Sequence, residues 1–226
     1  MYRYRMWLSI AVLCLMAVCI FVAGCQCTTT CSARKLGPYG FKTSRMGEEG
    51  FIINWLVVGP FPNPGGRPDN EGFHIDYLKK YGGEANYVPA NGMEIIKDDD
   101  TKLKWAQYES SYTDIDFFSI DHLGLNYSDG NILTYSACWL KCKKDMDVEI
   151  RVGSDDGYKL WIDHKLIAEQ RVYRYAEMDS EIYPIKLSKG IHLILIKVDD
   201  DAGDYSFIMR VVTPNGKKVP GLKVWN

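Results

Sequence analysis

Asp155 and Asp156 stand side by side in the stretch VGSDDGYKLWIDHK (152–165), between two alternating apolar runs. Adjacent carboxylates repel, and a plain turn between strands does not need both. Such a pair can supply hard oxygen ligands to a cation such as calcium, which neutralises neighbouring acids. It can contribute to the acid pair of a glycosidase, but that needs carboxylates about 5–9.5 Å apart on either side of a scissile bond. It can also simply end a strand, the first carboxylate, Asp155, capping backbone N–H groups of the turn while Gly157 supplies a positive φ. A second candidate group lies in RVYRYAEMD (171–179), which carries Arg171, Tyr173, Arg174 and Tyr175. Aromatic faces stack on sugar rings, and guanidinium groups hold hydroxyls or carboxylates; the alternative is a plain polar crossover between strands.

The elements that must position these residues are strands. ILTYSACWLKC, DVEIRVG, YKLWID, KLIAEQ, EIYPIKL, IHLILIKV and YSFIMRVV follow one another from residue 132 at short intervals, separated by turn residues. That spacing marks an antiparallel sandwich or barrel. Ile191 to Val198 is apolar on both faces and reads as a central, doubly covered strand. Upstream, FIINWLVVGPF (51–61) reads as a strand and NPGGRPDNEG (63–72) as a loop. HIDYLKKYGG (74–83) places Ile75, Leu78 and Tyr81 at helical spacing before a Gly-Gly stop, which predicts one short helix over 74–81. GMEIIK and TKLKWAQYE read as two short strands across DDD (98–100). The fold class expected is all-β, an antiparallel two-sheet sandwich over residues 51–226. Trp161, alternating with Leu160 and Ile162, belongs in its packing, and His164 at a loop tip.

The N-terminus supplies an address. MYRYRMW carries Arg3 and Arg5 and no acid, an apolar run follows, and VAGC ends it at Cys25. A basic region before an apolar one is the pattern of a secretory signal. Val22-Ala23-Gly24-Cys25 resembles the bacterial lipoprotein box, which implies cleavage after residue 24 and acylation of Cys25, palmitate included. Gln26 in place of Asp implies, by the same resemblance, the outer membrane of a Gram-negative cell or its surface. Residues 25–50 then read as a polar tether off the lipid bilayer. An uncleaved anchor helix is the alternative.

Removing residues 1–24 takes two arginines and no acid, leaving 25 basic against 29 acidic side chains. That balance carries no footprint of nucleic-acid binding. Cys27 and Cys31 lie in the tether and can pair or stay free. Cys138 and Cys142 lie four apart in one strand, an extended span of about 13 Å against the roughly 4.4–6.8 Å a disulfide spans. They are expected to be buried free thiols.

WLVVGPF, HIDYLKKYGGE, KLKWAQY, VGSDDGYKLWID and LSKGIHLILIKV, in that order, resemble a jelly-roll module of bacterial surface proteins. The GSDDGYKLWID core is similar to the anthrax protective-antigen N-terminal type of sandwich, a family with flocculin and adhesin lectins and inserts in β-glucosidases. The strand–turn–strand followed by LSKGIHLILIKV looks like the galactose-binding-like, sugar-binding domain of glycoside hydrolase family 2. The resemblance implies a carbohydrate or envelope polymer as partner. Through the calcium-dependent lectins it implies a metal role for Asp155 and Asp156; other members use the pair structurally, and that is the reading preferred from the residues. One departure is His164, where relatives place Gly after W-I-D. His tolerates the left-handed region better than most residues.

No G-x-S-x-G, H-E-x-x-H, P-loop or G-x-G-x-x-G occurs, and the four histidines have no zinc spacing. Asp199-Asp200-Asp201 suggests a calcium loop, but the twelfth position of that frame is Arg210 where a bidentate Glu is required. No catalysis and no resident cofactor other than calcium are expected. The function expected is non-catalytic binding of carbohydrate by an anchored, exported lipoprotein. Its rivals are an envelope assembly module that binds protein partners and a small glycoside hydrolase.

Overall fold

The computed structural model describes residues 43–44, 46–65 and 71–226, all within one compact unit. The signal segment, Cys25, Cys27 and Cys31 lie outside the described residues. No helix among the described residues is long and apolar enough to cross a membrane.

The strands run in chain order β1 (Thr43–Ser44), β2 (Asn54–Pro62), β3 (Glu94–Ile96), β4 (Lys102–Lys104), β5 (Ala106–Glu109), β6 (Asp114–Asp116), β7 (Ile132–Cys142), β8 (Met146–Asp155), β9 (Tyr158–Ile162), β10 (Lys165–Gln170), β11 (Glu181–Leu187), β12 (Gly190–Asp200), β13 (Ser206–Val212) and β14 (Lys223–Trp225). An eight-stranded antiparallel sheet has the order β1-β14-β7-β12-β9-β10, with β2 joined to β7 and β5. A four-stranded sheet, β11-β8-β13-β6, packs on it, and β3 and β4 form a separate hairpin. The all-β sandwich expected from the alternation is therefore present. The folded body starts earlier than residue 51, because β1 pairs with β14 and Met46 is buried in the core.

Two apolar layers lie on opposite faces of the large sheet. Between the sheets, Cys138, Leu140, Ile194, Ile196 and Val198 meet Val148, Ile150, Val152, Phe207 and Met209. On the outer face, Tyr135, Trp139, Trp161, Leu193 and Leu195 are covered by Leu78, Tyr87 and Trp105 from the 61–105 stretch. This second layer is why β12 is apolar on both faces: a strand covered twice has no solvent side on which polar residues would alternate. Cys138 and Cys142 are buried and free, as their spacing requires.

The helical segment expected near 74–81 is met in two pieces. A single turn, α1 (Glu71–His74), is followed by a 3-10 turn at Lys79–Tyr81. Between them the Asp76 side chain accepts hydrogen bonds from the N–H groups of Leu78 and Glu84, which competes with a continuous helix. Gly82 closes the segment in the left-handed conformation, so the glycine stop holds. The β9–β10 hairpin turns on two residues, Asp163 and His164, both at positive φ. That is the demand of a type I′ turn, which His164 meets without glycine.

Candidate functional site

Strand register brings distant acids together. β7 and β12 pair along their whole length, which sets Asp200 opposite Ile132 and Asp199 opposite Leu133. β2 pairs with the same end of β7, Pro62 opposite Ile132, so Asn63 follows beside them. In the other sheet, Asp155 ends β8 opposite Ser206. The link from Asp155 to Tyr158 crosses from the small sheet to the large one and is held to β12 by backbone bonds. Asp156 N–H donates to Asp199 O (2.9 Å) and Asp199 N–H to Gly157 O (3.0 Å). The Asp155–Asp156 peptide is cis.

Carboxylate oxygens of Asp155, Asp156 and Asp200 lie within 4.8 Å of one another, all three side chains buried. Relative exposures of 4%, 2% and 0% rule out a solvated turn. The capping expected of the first aspartate is met at the second, whose carboxylate accepts from the N–H groups of Arg174 (3.0 Å) and Asp201 (3.2 Å). Gly157 serves differently from expectation. It has no positive φ; a Cβ there would come within 2.6 Å of Asp199 Oδ1 and 2.7 Å of Gln170 O. The glycine is required by close approach, not by handedness.

Asp200 has no such compensation. Neither of its oxygens has a hydrogen-bond partner among the described residues. Burial, with the charges of Asp156 and Asp155 next, pushes its carboxyl up to about 8. Asn63 Oδ1 is likewise buried without a partner, while its Nδ2 donates to Asp199 Oδ2 at 3.4 Å. Buried oxygens left unpartnered cost about 1–3 kcal/mol each. An oxygen-only donor set with unmet acceptors is what a hard cation such as calcium takes up, and the residues fit such an ion.

The other sequence candidates surround Asp156. The 171–180 connection lies flat on β8 because residue 153 is glycine: a Cβ there would be 1.7 Å from Glu177 O. Arg174 is engaged within the fold. Its guanidinium forks onto Glu181 (2.6 and 2.7 Å) and reaches Ser154 O (3.3 Å), and its N–H holds Asp156. Tyr173 and Tyr175, on either side, are 42% and 74% exposed, and Arg171 is exposed. Trp161 is buried in the outer apolar layer.

Sequence reasoning missed Asp200 and Asn63. The acidic run 199–201 was visible, but the calcium-loop frame fails at Arg210, and nothing local says that Asp200 ends opposite Ile132. Asn63 sits in a stretch that reads as loop.

No protein-family model matches the chain, and no curated protein matches its sequence. Among solved structures, the chain is similar to the PA14 domain of the antifreeze protein MpAFP, at 14% identity over 80% of this chain and 87% of that one (TM-score 0.42). A subtype-switched epithelial adhesin A domain from Candida glabrata, solved with β-lactose, is similar at 9% identity over 81% and 92% (TM-score 0.41). An anti-sigma factor domain-containing protein is similar at 13% identity (TM-score 0.40); the match covers 51% of this chain and 40% of that protein. Similarity at this level assigns no activity.

Proposed function

We propose that this is a non-catalytic carbohydrate-binding sandwich whose ligand is held through a calcium ion at Asp155, Asp156 and Asp200. The observation that carries the reading is the set of three buried carboxylates with oxygens within 4.8 Å of one another, one of them without any donor among the described residues. Asn63 Oδ1 is a fourth oxygen of the right kind. A bound calcium ion supplies two positive charges and open coordination positions for sugar hydroxyls. The protein's part is to hold the oxygens and to present Tyr173 and Tyr175 beside Asp156 as stacking surfaces. Three buried acids gathered at one point, and not two facing each other across a gap, support binding over hydrolysis. On the same proposal the protein is exported and anchored at an acylated Cys25.

Glycan-array binding of the full chain in detergent, with calcium and with chelator, tests the reading. Chelator-sensitive binding is expected, together with a rise in Tm when calcium is added. Binding indifferent to chelator removes the cation from the proposal, and silence on every glycan removes the carbohydrate. Metabolic labelling with a palmitate analogue, lost in Cys25→Ala, tests the anchor.

A further inference from the structure

One calcium ion does not balance the charge that the fold gathers around it. Besides Asp155, Asp156 and Asp200, two more aspartates belong to the same neighbourhood. Asp199 exchanges backbone hydrogen bonds with the 156–157 link, and Asp201 N–H donates to Asp156 Oδ2 (3.2 Å). The four charges that act most strongly on Asp200 are those of Asp156, Asp155, Asp201 and Asp199. Five carboxylates, or four where Asp200 keeps its proton, thus face the two positive charges of the ion. An excess of three, or two, negative charges remains.

The cations of the protein are spent elsewhere. Arg174, which reaches Ser154 O, is matched by its fork onto Glu181 (2.6 and 2.7 Å). Arg151 and Arg210 are held by Asp179, and Lys197 by Glu84. Lys159 lies 3.6 Å from Glu169, and the charges of both act on His74 together with that of Arg171. At the rim of the cluster the excess reaches solvent. Asp204, in the link from β12 to β13, is exposed and has no ion-pair partner among the described residues. It stands two residues before Ser206, the cross-strand partner of Asp155, and Asp201 at the other end of the link is half-buried. An acidic sugar meets like charge here, and a neutral one leaves the excess unmet. A sugar bearing an ammonium gives its hydroxyls to calcium and positive charge to the rim.

We infer that the ligand is a saccharide carrying free amines, its hydroxyls on the calcium ion and an ammonium over Asp201 and Asp204. This rests on the cation-dependent carbohydrate reading above and names its substrate class.

The test is titration of the full chain in detergent and calcium, at a mildly acid pH that keeps sugar amines protonated. The probes are two hexamers of one backbone, hexaglucosamine and its neutral N-acetylated counterpart. The amine form is expected to bind about 5-fold more tightly, the worth of one or two partly exposed ion pairs. Hexalysine is the control for bulk charge: chelator should weaken hexaglucosamine and strengthen hexalysine, because only the sugar needs the ion. Asp204→Asn should at least halve the preference and Asp204→Lys should abolish it. The side chain is exposed, so both variants should keep the calcium-dependent rise in Tm, which guards against misfolding. Equal, calcium-dependent affinity for the two hexamers, or an Asp204→Lys variant that keeps the preference, overturns the amine inference alone. Hexalysine binding as tightly as hexaglucosamine, in chelator as in calcium, reduces the preference to bulk charge and also overturns it. Silence of both hexamers overturns it too, and the glycan array then decides whether the carbohydrate reading beneath it falls as well.

Discussion

Strand β12 carries four buried ionisable side chains, and the fold treats Lys197 and His192 in the opposite way from Asp200. Lys197 has no exposed surface, yet its ammonium donates to Ile75 O (2.6 Å), Glu84 Oε1 (3.0 Å) and Phe73 O (3.1 Å), with the Tyr77 and Tyr135 rings at 5.7 and 5.5 Å. His192 sets Nδ1 against Asp163 Oδ2 (2.6 Å) and Nε2 against Ser188 O (2.8 Å). Asp200, three residues beyond Lys197, is as buried and meets carboxylates instead of donors. A cation that the fold fully satisfies holds structure together. An anion placed among anions and left without donors costs stability unless something from outside supplies positive charge. The same strand thus separates a structural clasp from a ligand site.

The largest effect is expected where the satisfied assembly is broken. Lys197→Ala leaves the Glu84 carboxylate without its ammonium, held by the Tyr135 hydroxyl (2.6 Å) beside the outer apolar layer, and should cost about 3–5 kcal/mol, as loss of one partner of a buried pair does. Urea denaturation of the full chain in detergent measures it. A loss under 1 kcal/mol would mean that Lys197 is not the clasp of the 73–84 segment, and the contrast with Asp200 would weaken.

His192 comes next. Both ring nitrogens face acceptors, so the imidazolium is favoured and its pKa is raised to about 10, the Asp163 hydrogen bond contributing most. A group whose folded value lies above its unfolded value stabilises fully below the unfolded one, near 6.5, and loses that stabilisation as pH rises toward 10. His192→Gln should cost about 1.5–3 kcal/mol at pH 6, the usual worth of a hydrogen bond to a charged group. At pH 10 the cost should shrink to under half. A cost independent of pH would refute the imidazolium assignment.

Strand β12 also shows what is legible in the chain and what is not. Alternation over 132–212 located nearly every strand, because period-2 burial is a local property. The double covering of β12 was legible for the same reason. Asp155 and Asp156 drew attention because two adjacent acids conflict locally. Asp200 and Asn63 did not, because their relation to the pair exists only through the β7–β12 and β2–β7 registers, and register is a long-range outcome. Residue type alone leaves Arg174 between a ligand contact and part of a plain polar crossover; its fork onto Glu181 depends on how the 171–180 connection folds back over Gly153.

Asp200→Asn sharpens the comparison from the other side. The carboxyl, raised to about 8, keeps its proton in the folded chain where the unfolded chain gives it up. Cation-free stability should therefore fall as pH rises from about 4 to about 8, the reverse of an ordinary paired aspartate. The amide removes that dependence and should stabilise the chelated protein by about 1–2 kcal/mol at pH 8, while abolishing the rise in Tm on adding calcium. Destabilisation in chelator would mean that Asp200 is compensated in the fold after all, and that it belongs with Lys197 and His192.

The smallest effect distinguishes the presenting surface from the cluster it borders. Tyr175 is 74% exposed and adjoins Arg174, whose N–H holds Asp156. Its ring contributes little to the core, so Tyr175→Ala should leave stability within about 0.5 kcal/mol. A sugar stacked on an aromatic face gains about 0.5–1.5 kcal/mol from that ring, so the same variant should weaken glycan binding about 2–10-fold with the calcium response unchanged. Tyr112, 77% exposed but on the loop after β5, is the matched control and should leave binding as it was. Equal losses from both tyrosines would point to a diffuse aromatic surface; a loss from Tyr175 alone ties recognition to the connection pinned on Asp156, because only that ring is held in register with the acidic cluster.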